Sequence, residues 1–100
     1  MTDWEPPGDF YALTAEHLFA EVWSRQGLTM RDRRLLLIGL LVGQGLSAQL
    51  AVQLDAALRT GELTGNELRE VVVFLTHYAG WARGSELNNQ VEDLIARLAG

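Results

Sequence analysis

One hundred residues, 48% of them apolar, are the material of one small domain, too hydrophobic for a disordered chain. Thirteen acidic residues stand against eight basic ones, all arginine, for a formal charge of −5. Without a basic cluster, neither nucleic acid nor an anionic membrane surface is expected as a partner. Cysteine is absent, which removes disulfides, zinc–thiolate sites, iron–sulfur clusters and thiol nucleophiles. His17 and His77 form neither an HxxxH nor an HExxH pair, so no metal is expected.

The first thirteen residues read as an arm: Pro6-Pro7-Gly8 interrupts regular helix, while Trp4, Phe10 and Tyr11 supply apolar surface. No charged-then-apolar signal pattern opens the chain. The apolar run over 35–42 falls well short of the roughly 20 residues that span a bilayer. A soluble, cytoplasmic protein is expected.

Thr14 caps a first predicted helix over about 15–26, with Leu18, Phe19, Val22 and Trp23 at helical spacing and Gly27 as its stop. Thr29 opens a second, with Asp32 in the first turn, running to about Val42 and stopping in Gly43-Gln44-Gly45. Ser47 caps a third over about 48–60, with Leu50, Leu54, Ala57 and Leu58 facing inward and Gly61 ending it. Thr64 and Glu67 have the spacing of a capping box for a fourth helix over 65–79, closed by Gly80. A last helix over about 84–99 lines up Leu87, Val91, Leu94, Ile95 and Leu98. Val71 to Leu75 have strand-like composition but sit inside the capped frame and read as helix. The expectation is an all-α fold of about five helices: a 1–13 arm and a single domain over 14–100.

Two helices carry more apolar residues than one face can hold. Leu35-Leu36-Leu37-Ile38 and Val71 to Leu75 are apolar around the circumference, which calls for burial on all sides. A small domain has few such positions, so neighbouring copies are expected to cover the rest.

Glu70, Phe74, His77 and Trp81 recur at i, i+4, i+7 and i+11, setting a carboxylate, an imidazole and two aromatic rings along one side of the fourth helix. Such a line can wall a pocket in which His77 moves protons. It can equally hold a partly buried histidine satisfied by a backbone carbonyl. Gln49 and Gln53 make a second polar pair, able to orient a ligand or face solvent. Of Arg31, Arg33 and Arg34, one can anchor a carboxylate through paired hydrogen bonds while the others pair with surface acids.

Read together, Gly27-Leu28-Thr29, Arg31 to Leu35, Ala56 to Gly61, Leu63-Thr64, Glu67-Leu68, Glu70-Val71 and Tyr78-Ala79-Gly80-Trp81 resemble the carboxymuconolactone decarboxylase family, in order and spacing, over roughly 18–99. The resemblance implies a compact orthogonal helical bundle assembled as a trimer or hexamer, with its pocket near subunit contacts. It implies the decarboxylating type rather than the peroxide-reducing type, which needs a CxxC pair. Members of the decarboxylating type commonly carry a histidine where this chain has Gln53, another at Phe74, and a proline at Ala82.

The resulting expectation is a decarboxylase-like enzyme acting without cofactor on a small oxygenated, carboxylated molecule. His77 would be the acid/base, Gln53 an oxyanion or substrate ligand and Glu70 an orienting partner. Arg33, Phe74, Tyr78 and Trp81 would bind substrate. The alternatives are a non-catalytic oligomeric binding protein on the same fold, or a member catalysing isomerisation or cyclisation.

Overall fold

Thr64 sets the frame of the second half of the chain. Its hydroxyl accepts from the Glu67 backbone N–H at 3.1 Å, and the Glu67 carboxylate accepts from the Thr64 N–H at 2.9 Å. This reciprocal capping box satisfies two donors that a helix start leaves orphaned. The helix it launches, Gly65–Ala79, is the fourth of five in this computed structural model, which describes residues 8–99.

The α-helices are α1 (Gly8–Leu13), α2 (Met30–Gln44), α3 (Ser47–Arg59), α4 (Gly65–Ala79) and α5 (Trp81–Ala99); α1 runs on into a π-wound segment, Thr14–Val22. No strand occurs among the described residues, and the all-α class read from the sequence is the class observed. The chain divides into two compact units, residues 1–33 and 34–100.

Within the first unit, the described part of the predicted arm is helical from Gly8 onward. Residues 1–7, with Trp4 and the Pro6-Pro7 pair, lie outside the described residues. The physical reason for the difference is that proline and glycine punctuate helices but do not forbid one from starting directly after them. The predicted helix over 15–26 ends instead at Val22, and its winding is looser, with the Trp23 N–H bonded to the Leu18 carbonyl five residues back at 2.9 Å. Thr29 and Asp32 cap each other, Asp32 N–H to Thr29 Oγ1 at 3.0 Å and Thr29 N–H to the Asp32 carboxylate at 3.4 Å, so α2 starts where the sequence places it.

Within the second unit, the core collects one stripe from each helix: Ile38, Leu41 and Val42 from α2, Leu50, Leu54 and Ala57 from α3, Leu68 and Val72 from α4, and Leu87, Val91 and Leu94 from α5. Leu63, in the loop between α3 and α4, is buried with them. Each such aliphatic side chain contributes about 1.5–3 kcal/mol when fully buried. α2 closes with the Gly45 N–H on the Val42 carbonyl and the Leu46 N–H on the Leu41 carbonyl, the paired bonds of a Schellman ending. Ser47 does not cap α3 as expected. The cap position is Leu46, without a side-chain bond, and Ser47 is the first helical residue. Its carbonyl accepts from the Gln90 amide at 3.1 Å, tying α3 to α5.

The α4–α5 corner positions the site. Gly80, at φ +102°, turns the chain between the two helices, a conformation L-residues with a Cβ avoid. α5 begins at once with Trp81 rather than at residue 84. Gly84 then lies so close to α4 that an added Cβ would sit 2.1 Å from Thr76 Oγ1. Thr76 is buried, its hydroxyl donating to the Val72 carbonyl at 2.6 Å. Further along, the Arg69 guanidinium holds both Glu92 oxygens, at 2.8 and 3.0 Å.

Candidate functional site

His77 stands in the last turn of α4, exposed, with Nδ1 2.7 Å from the Val73 carbonyl. A carbonyl can only accept, so Nδ1 carries the proton in that bond. In the neutral ring Nε2 is then the basic nitrogen. The Trp81 indole meets the imidazole edge-on, ring centres 5.4 Å apart and planes at 72°, across the break at Gly80. The line of residues expected on one helix therefore bends round a corner between two.

A concavity of about 370 Å³ opens at this corner. Val72, Val73, Thr76 and His77 wall it from α4; Trp81, Gly84, Ser85, Asn88 and Asn89 wall it from α5. Gly84, at the close approach to Thr76, is one of these residues, and His77 is the one ionisable group among the described residues that line the concavity. Ser85, Asn88 and Asn89 were not singled out from the sequence. The signal was present in the i, i+4, i+7 spacing of Trp81, Ser85 and Asn88, but reading it needed the knowledge that α5 begins at Trp81.

The other expected site residues are placed differently. Glu70 is exposed on α4 and does not line the concavity. Phe74 and Tyr78, 63% and 80% exposed, pair with each other at 5.1 Å between ring centres and lie outside those walls. Arg33 belongs to the first unit, where its guanidinium donates to the Trp23 carbonyl at 3.1 Å and to that of Leu28.

Gln53 forms part of a second polar cluster. Its Oε1 accepts from Arg34, whose guanidinium also grips Glu62 at 2.8 and 3.2 Å. The Arg34 and Glu62 side chains are only 12% and 15% exposed. Arg34 hydrogen bonding and charge hold the Glu62 carboxyl below its ordinary range, outweighing the opposing effect of burial. This cluster lies outside the concavity, so the structure does not bring Gln53 to the walls that hold His77. Gln49, its expected companion, is exposed.

Among the described residues no group of three or more His, Asp or Glu side chains is arranged to hold a metal ion, and no helix is long and apolar enough to cross a membrane.

The family model described as "Carboxymuconolactone decarboxylase family" matches residues 8–93. The chain is 30% identical over 90 residues to a 4-carboxymuconolactone decarboxylase of Acinetobacter baylyi, covering 90% of this chain and 66% of that protein. It is 35% identical over 68 residues to a nitrosuccinic acid decarboxylase of Metarhizium robertsii, covering 68% of this chain and 47% of that one. It thus spans just under two thirds and about half of the lengths of these curated relatives. No solved structure matches it significantly. With the family model matching from α1 into α5, the chain belongs to the carboxymuconolactone decarboxylase family.

Proposed function

We propose that this protein removes CO2 from a small oxygenated carboxylic acid, with His77 as its proton carrier and the α4–α5 concavity as its site. The observation that carries this reading is the tethered imidazole. Nδ1 is held on the Val73 carbonyl beside Trp81 in a concavity with no other ionisable group among the described residues that line it. The decarboxylase names of both relatives supply the reaction type.

Cleavage of the C–C bond releases neutral CO2 and leaves its electron pair in the substrate, which needs an electron-accepting group of its own, such as a carbonyl. No cofactor is required for that. Nε2 first takes a proton from solvent, the resulting carbanion receives it, and the neutral ring is left ready for the next turnover, so that one carboxylate and one solvent proton become CO2 and the protonated product. Val72, Val73 and the Trp81 ring give the departing carboxylate an apolar wall on one side in place of part of its water shell, which favours loss of its charge. The working unit is a homo-oligomer, trimer or hexamer, supported by the exposed Leu36 and Leu40 on α2 and Val73 and Phe74 on α4.

Positioned acid/base groups contribute about 10²–10⁴-fold. His77→Ala should therefore reduce kcat/KM for CO2 release from carboxymuconolactone by about 100-fold or more. No release from the folded wild-type protein would overturn decarboxylation of that substrate. Undiminished release by the variant would remove His77 from the mechanism. A binding protein without turnover is the second reading, supported by the engagement of Gln53 with Arg34 in place of an open site.

A further inference from the structure

Several polar side chains in the second unit are already engaged: Arg34 on Glu62 and Gln53, Arg59 on Asp55, Arg69 on Glu92, and Gln90 on the Ser47 carbonyl. Ser85, Asn88 and Asn89 are not. All three wall the α4–α5 concavity, and none makes a hydrogen bond to another described residue. They follow Trp81 at i+4, i+7 and i+8, on adjacent positions of one face of α5. Together they offer a hydroxyl and two carboxamides, with no formal charge.

We infer that Ser85, Asn88 and Asn89 are the specificity-determining surface of this site, taking the substrate-orienting role that the sequence assigned to Gln53. The inference rests on the proposed location of the site at His77. Its physical basis is that neutral amides and a hydroxyl hydrogen-bond a neutral acceptor such as a carbonyl oxygen at little desolvation cost. A carboxylic acid lacking that acceptor would leave the amide donors to water or unpaired, and is discriminated against. A lysine or arginine in their place would hold the reacting carboxylate as an ion and oppose its conversion to neutral CO2. The three residues recognise the part of the substrate that receives the electron pair. His77, across the groove, serves the carbon that receives the proton.

The test compares two stable acids of similar size on the full chain: a saturated five-membered lactone carboxylate and cyclopentanecarboxylate, which lacks the lactone oxygens. Binding is followed by NMR on the side-chain NH2 resonances of Asn88 and Asn89, assigned with the single Asn88→Ala and Asn89→Ala variants. Both positions are exposed on a helix, where alanine is well tolerated. The expected result is that the lactone acid shifts these resonances and binds about tenfold more tightly than the carbocyclic acid, a difference of one or two hydrogen bonds. That preference should collapse in Asn88→Ala/Asn89→Ala and persist in His77→Ala. Equal affinity for the two acids, absence of binding by both, or a preference that survives the double substitution would overturn the assignment. Selective binding without CO2 release would overturn decarboxylation and leave the assignment supported.

Discussion

Gly84 shows how much one missing carbon decides. A Cβ at this position would stand 2.1 Å from Thr76 Oγ1 and 2.7 Å from its Cβ. Neither helix yields easily, because Thr76 is buried and hydrogen-bonded to the Val72 carbonyl. Gly84→Ala should destabilise the protein by about 1–3 kcal/mol, the usual cost of overpacking, despite alanine's better helix propensity. Urea unfolding would show this as a lowered midpoint; an unchanged or raised midpoint would mean that α4 and α5 do not meet at Thr76. The sequence pattern places the start of α5 at about this glycine, whereas the helix begins three residues earlier, at Trp81. A residue that weakens a lone helix is here the one that lets two helices touch.

The elements are joined by polar contacts of very different sequence span. The Thr64–Glu67 box closes within three residues and is readable in a line of text. The Arg34–Glu62 pair links α2 to the α3–α4 loop across 28 residues and is not. Because the Glu62 pKa is lowered in the folded chain, folding is favoured by this pair above the unfolded carboxylate value of about 4.3. That contribution is lost as pH falls through the lower folded value. Glu62→Gln should cost about 1.5–3 kcal/mol at pH 7, the worth of a hydrogen bond to a charged group. The gap between wild type and variant should narrow steadily below about pH 4. Urea midpoints measured from pH 7 to pH 3 would check this, and a pH-independent gap would show that Glu62 is not held as a charged partner of Arg34.

For the molecule as a whole, the apolar excess of two helices finds no cover within the second unit. Leu36 and Leu40 on α2 are 65% and 54% exposed, and Phe74 and Tyr78 extend the uncovered surface along α4. Large apolar side chains left exposed in this number mark association sites. Sedimentation at micromolar concentration should give an assembly of three or six copies, and Phe74→Glu, which sets a charge in that surface, should shift it to smaller species. A wild-type protein that sediments as a monomer would remove oligomer formation from the proposed function.

Residue type and local spacing are enough to specify the all-α class, the starts of α2 and α4 and the inward stripes of α3 and α5. Each of these rests on contacts within one or two helical turns, where residue type and spacing are enough. Tertiary structure decided which polar residues share a site. It gave Gln53 to Arg34, Arg33 to backbone carbonyls, and left Ser85, Asn88 and Asn89 beside His77. The reason is that spacing along a helix fixes which side chains share a face, whereas what that face meets depends on how close another helix can come. Here the α4–α5 approach turns on Gly80 and Gly84.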